Sequence, residues 1–165
     1  MASVTLRGKP VTTSGELPAV GSTVPAFTLT KSDLSDMTNA DLDGTRAILN
    51  IYPSIDTPTC ATSTRKFNEL ASSLENTTVI CVSADLPFAQ RRFCGAEGLK
   101  NVQTGSTFRS DFGNSFGVTL LDGVMKGVLA RAVVVLDEQG TVIYTELVGE
   151  IADEPNYAEA IKVLK

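Results

Sequence analysis

The apolar run Ala47-Ile48-Leu49-Asn50-Ile51-Tyr52 stops at Pro53, and past Thr57 the apolar residues return at helical spacing as Phe67, Leu70, Ala71 and Leu74. A buried strand that gives way to a helix across one short loop confines the chain to an α/β arrangement, because both elements need an apolar partner surface. Thr57 suits the helix cap, and Pro58 suits the first helical position, where its missing N–H would have no partner in any case. The next strand, Val79-Ile80-Cys81-Val82, is apolar on both faces and so belongs inside a sheet covered on each side. A second helix is expected from near Asp85-Leu86-Pro87 through Cys94, stopping at Gly95.

Downstream, Ala130–Asp137 and Thr141–Val148 read as two strands joined by Glu138-Gln139-Gly140, a turn short enough to pair them antiparallel, and residues 155 to 164 read as a closing helix. Upstream, Val4–Arg7 and Val11–Thr13 flank Gly8-Lys9-Pro10 as a small hairpin outside the main sheet. Residues 14 to 26 form connecting loop, and Phe27–Thr30 alternates like a strand. This order of elements is that of a thioredoxin-like α/β fold, with a central mixed sheet, helices on both faces and, here, an N-terminal β-hairpin. With 165 residues, 42% hydrophobic and 20% charged, the chain suits one domain over residues 1–165. A domain of that size buries roughly two thirds of its unfolded-chain surface.

Charge narrows the function. Lys+Arg 14 against Asp+Glu 19 gives a net charge of -5 with no long run of either sign, so no footprint for nucleic acid or an anionic membrane is present. The start Met1-Ala2-Ser3-Val4-Thr5-Leu6-Arg7-Gly8-Lys9-Pro10 lacks the basic and apolar regions of a secretory signal, and a cytoplasmic protein is expected. Histidine is absent, which removes Ser-His-Asp and Cys-His machinery and histidine metal sites. Three cysteines are too few and too odd in number for a disulfide scaffold, and in a reducing compartment they start as thiols.

Cys60 falls in the first turn of the helix that follows Pro58. Unpaired backbone N–H groups and the positive end of the helix dipole favour an anion there, so Cys60 reads as a nucleophile rather than as a small core hydrophobe. The Thr57 hydroxyl is placed to cap the helix or to bond the sulfur and an incoming oxygen, while Pro53 and Pro58 stiffen the loop and shield the thiol. Cys94 is too distant in sequence for a Cys-x-x-Cys pair; at a helix end it is either a thiol that swings out to resolve an oxidised partner or a buried core residue. Cys81, among Val79, Ile80 and Val82, reads as inert packing. Arg131 opens an otherwise apolar strand and either reaches solvent or points at the Cys60 loop as a permanent cation.

Pro53-x-x-x-Thr57-x-x-Cys60, with Arg131 downstream, resembles the peroxiredoxin active-site signature. Cys94 within Phe93-Cys94-Gly95-Ala96-Glu97-Gly98-Leu99, preceded by Ser83-Ala84-Asp85-Leu86-Pro87-Phe88-Ala89, is similar to the bacterial thiol peroxidase branch of atypical two-cysteine peroxiredoxins. The likeness spans nearly the whole chain. Glutathione peroxidases share the fold but use a catalytic tryptophan, which a chain with Trp 0 lacks. The resemblance implies that Cys60 attacks a hydroperoxide, with Thr57 and Arg131 stabilising the departing oxygen, and that Cys94 then closes an intramolecular Cys60–Cys94 disulfide. It also implies thioredoxin as electron donor, hydrogen peroxide and organic or lipid hydroperoxides as substrates, a homodimer, and no prosthetic group or metal. Phe27 and residues 115 to 128 are expected to shape the substrate pocket. Two other readings remain: a protein thiol-disulfide oxidoreductase, against which the missing Cys-x-x-Cys argues, and a redox-sensing domain that would not turn over.

Overall fold

In the computed structural model, which describes residues 1–165, the segment Arg46–Ile51 (β5) runs through the middle of a seven-stranded sheet. It pairs in parallel with β6 (Thr77–Ser83) on one side and antiparallel with β8 (Ala132–Leu136) on the other. Beyond them lie β7 (Gln103–Ser106), β3 (Thr28–Thr30) and β4 (Asp36–Thr38) at one end and β9 (Val142–Leu147) at the other, in the order β4-β3-β7-β6-β5-β8-β9. The sheet is mixed because only β5-β6 and β6-β7 are parallel; the remaining neighbours run antiparallel.

Alternation along the central strands splits the core in two. Ala47, Leu49, Ile51, Ile80, Val82, Ala132 and Val134 face one apolar cluster, and Ile48, Tyr52, Val79, Cys81, Val133 and Val135 face the other. Helix α1 (Pro58–Ala71) joins β5 to β6 and α2 (Pro87–Glu97) joins β6 to β7. Both crossovers step in the same direction across the sheet, and with the usual right-handed sense they place both helices on one face. Phe67 of α1 and Phe93 of α2 accordingly meet the second cluster, as do Ala160 of α4 (Tyr157–Lys162) and, just past it, Leu164. Helices flank both faces unequally: the opposite face carries only the four-residue α3 (Phe112–Ser115) and a 3-10 helix at Asn39–Leu42, together with irregular chain.

The hairpin forms from β1 (Ser3–Leu6) and β2 (Lys9–Thr12), a separate two-stranded sheet, but its turn is Arg7-Gly8 rather than Gly8-Lys9-Pro10, since Lys9 and Pro10 pair with Leu6 and Thr5. Arg7 at φ 51 and Gly8 at φ 81 both occupy the left-handed region, as a two-residue type I′ turn demands. The hairpin is tied to the body by Thr5 N–H to the Gly149 carbonyl at 2.7 Å and Ile151 N–H to the Thr5 carbonyl at 2.8 Å.

Three further elements differ from expectation. Helix α2 does not stop at Gly95 but continues through Glu97, because Gly98, at φ 67, is the residue that takes the left-handed cap conformation. Gln103-Thr104-Gly105-Ser106 has no apolar alternation, yet it becomes β7 because the α2 crossover delivers it beside β6. A Cβ on Gly105 would lie 2.7 Å from Leu29 Cδ1, so this glycine is what lets β3 pack there. The closing helix starts at Tyr157 rather than at Pro155, with the Asn156 side chain accepting from Glu159 N–H at 3.2 Å as its cap. No helix is long and apolar enough to cross a membrane.

Candidate active site

Cys60 is the third residue of α1, fully buried at 0% exposure, and it packs in the core cluster beneath the helix. Its carbonyl accepts from the Ser63 hydroxyl at 3.0 Å and the Thr64 hydroxyl at 2.9 Å, which holds the first turn rigid. Arg131 settles the orientation that the sequence leaves open. At 2% exposure it points inward, donating from Nε to the Ile151 carbonyl at 2.8 Å and from Nη2 to Cys60 Sγ at 3.3 Å. The remaining nitrogen, Nη1, is buried and has no partner. A buried guanidinium donor without an acceptor is costly, and on the same group that donates to Cys60 Sγ it would suit an oxygen that gains negative charge.

Thr57 caps α1 by its backbone alone. Ala61 N–H reaches the Thr57 carbonyl at 3.0 Å, but the Thr57 hydroxyl donates to the Ser54 carbonyl at 2.9 Å instead of bonding a helical N–H or the sulfur. The competing acceptor is the tight loop between Ser54 and Thr57, where Thr57 N–H also bonds Ser54 O at 3.1 Å. With its proton committed to Ser54, this hydroxyl offers lone pairs to an incoming O–H. Pro53, Thr57, Pro58 and Arg131, with Met125 and Ile151 opposite, line a cavity of about 160 Å³. Met125 belongs to the 115–128 stretch expected to shape the pocket; Phe27 does not line it, being buried edge-on against Phe112 at 5.8 Å and Phe116 at 5.9 Å.

Cys94 lies elsewhere. It sits one turn inside α2 rather than at a frayed end, its carbonyl accepting from Leu99 N–H at 3.0 Å. It is half-buried, and burial pushes its thiol pKa up. It lines a separate cavity of about 530 Å³ with Lys31, Arg91 and Lys100, which shares no residue with the one at Arg131. All three cysteines are free thiols here. Cys81 is fully buried, and desolvation raises its pKa to about 12, with Asn50 Nδ2 at 3.7 Å from its sulfur.

Sequence reasoning missed Ile151, whose carbonyl aims Arg131, and Asp85, which binds the Cys60 loop at Ser54 and Ile55. Neither carries a local signal, since a backbone carbonyl acts whatever its side chain and an aspartate before a helix is ordinary.

The sequence matches the family described as Redoxin over residues 19–161. It is 57% identical over 164 residues to the thiol peroxidase of Mycobacterium tuberculosis strain ATCC 25618 / H37Rv, covering 99% of each chain. Among solved structures, a peroxiredoxin-like protein from Aquifex aeolicus is 40% identical with a TM-score of 0.94, covering 99% of this chain and 96% of that one. The thiol peroxidase from Chromobacterium violaceum, 22% identical with the same coverage and a TM-score of 0.92, shares the fold.

Proposed function

The chain belongs to the redoxin family, in its thiol peroxidase branch, and from that premise we propose that it reduces hydrogen peroxide and organic hydroperoxides at Cys60. The observation that carries the assignment of the site is the Arg131 guanidinium, one nitrogen on Cys60 Sγ at 3.3 Å and another buried without a partner. The Cys60 thiolate attacks the terminal oxygen of the hydroperoxide, the O–O bond breaks, and the departing alkoxide or hydroxide is stabilised by Arg131 and takes a proton to leave as alcohol or water. Thr57 and Pro53 form the wall against which the peroxide is oriented, Thr57 accepting its O–H. Cys60 is left as a sulfenic acid, which condenses with the Cys94 thiol to give a disulfide and water. Because Cys60 is sealed in the core under α1 while Cys94 lines a separate cavity on α2, this step requires the start of α1 and the Cys94 turn of α2 to open.

Thioredoxin is the proposed reductant, returning the disulfide to two thiols in the reducing cytoplasm, and the proposed assembly is a homodimer. Cysteine sulfur carries the whole cycle. The test is NADPH consumption in a coupled assay containing thioredoxin, its reductase and cumene hydroperoxide or hydrogen peroxide. Sustained turnover that vanishes in Cys60→Ser is expected. Turnover with dithiothreitol but not thioredoxin would remove thioredoxin as the donor, and insulin reduction with no peroxide consumption would favour a protein thiol-disulfide oxidoreductase.

A further inference from the structure

A second polar cluster lies behind the cavity. Asp85 sits where β6 passes into α2, and its carboxylate accepts three hydrogen bonds: from the Ser54 hydroxyl at 2.7 Å, from Ile55 N–H at 2.7 Å and from the Ser83 hydroxyl at 2.6 Å. Its backbone carbonyl accepts a further bond from the Ser106 hydroxyl. Ser54 carries the connection onward, since its own carbonyl holds both the N–H and the hydroxyl of Thr57 at the cavity wall. On the other side, fully buried Gln90 of α2 donates from Nε2 to Ser83 Oγ at 3.0 Å and to the Gly105 carbonyl at 3.2 Å. Gln90 and Cys94 are four residues apart and therefore share one face of α2. An unbroken chain of hydrogen bonds thus runs from the helix that bears Cys94, through Gln90, Ser83, Asp85 and Ser54, to Thr57 beside Cys60.

We infer that Asp85 is a positioning residue that latches the Cys60 loop to the start of α2, holding Thr57 and Cys60 in the arrangement that reacts with peroxide until α2 opens. This rests on the reading of Cys60 and Cys94 as the reacting pair. The Cys60 sulfenic acid has two fates. It condenses with the Cys94 thiol, forming the S–S bond and releasing water, or it reduces a second hydroperoxide to alcohol and becomes a sulfinic acid. The first fate needs both elements to leave their present positions; the second needs the loop to stay closed. Loosening the latch therefore slows the initial attack on peroxide and shifts the sulfenic acid toward the disulfide.

Asp85→Asn keeps the volume but replaces one acceptor oxygen with a donor, so the three bonds at the carboxylate cannot all persist. Ser54→Ala removes a single one. The two measurements are the stopped-flow rate of the first reaction with peroxide and the sulfinic fraction of Cys60 per turnover, read by mass spectrometry during cycling. For Asp85→Asn both are expected to fall about tenfold, and for Ser54→Ala about threefold, as loss of charge-assisted hydrogen bonds dictates. A purely structural role would lower the melting temperature without moving the sulfinic fraction, so a folded variant with the wild-type fraction overturns the latch. If Asp85→Asn does not fold, Ser54→Ala decides by the same criterion. Absence of peroxide turnover in the wild-type protein would instead sink the peroxidase reading, and the latch with it.

Discussion

At 2% exposure the Arg131 guanidinium has lost nearly all its water, and of its three nitrogens Nε has the Ile151 carbonyl, Nη2 has the Cys60 sulfur and Nη1 has no partner. On the proposed function, the acceptor that Nη1 lacks is a peroxide oxygen. Arg131→Met, close in length and uncharged, is expected to slow the first reaction with peroxide by about 10²–10³-fold, the usual loss when a donor to a developing oxyanion is removed. Arg131→Lys should recover little of this, since one ammonium cannot serve the carbonyl, the sulfur and the substrate from a fixed fork. Competition against a second peroxidase measures both. The sequence places Arg131 at the mouth of a strand but cannot tell an inward guanidinium from an outward one. That choice is made by the Ile151 carbonyl, which arrives from a segment 20 residues away.

Among the elements, the β5–α1 junction is readable from sequence because strand burial, Pro58 and helical spacing all agree there. The end of α2 is less readable, since Gly95 and Gly98 are both glycines and only the backbone shows which one turns left-handed. Gly98→Ala, with open space around the new Cβ, is expected to cost about 1–2 kcal/mol of stability through the left-handed backbone alone, while Gly95→Ala should be neutral or stabilising; thermal denaturation compares them. The hairpin has its own control. Glu150 accepts from Ala152 N–H and Gly8 N–H, each at 2.9 Å, and from the Thr5 hydroxyl at 3.1 Å, and these bonds, that to Ala152 foremost, lower its pKa to about 2. A depressed carboxylate stabilises the fold above its unfolded value of about 4.3. That contribution fades as pH falls from there through about 2. Amide protection factors at Gly8 and Ala152, taken against the intrinsic exchange rate at each pH, should therefore fall selectively across that acid range, and Glu150→Gln should remove that fall.

Over the whole molecule, the placement of α1 and α2 on one face of the sheet is what sets Cys60 and Cys94 on neighbouring helices, Cys60 sealed in the core behind the cavity that Arg131 lines and Cys94 lining a separate one. That layout follows from the order β5, β6, β7 and was legible only as far as β6, because β7 is polar and glycine-bearing. In Cys94→Ser the sulfenic acid has no partner thiol in reach, since Cys81 is sealed in the sheet. Such a variant is expected to consume about one equivalent of peroxide and then overoxidise, without thioredoxin-dependent cycling. The most direct test of the account is peptide mass mapping of wild-type protein treated with one equivalent of hydroperoxide and alkylated under denaturing conditions. The account predicts a peptide pair joined through Cys60 and Cys94, with Cys81 recovered fully alkylated; a bond involving Cys81, or oxidation that leaves Cys60 free, would contradict it.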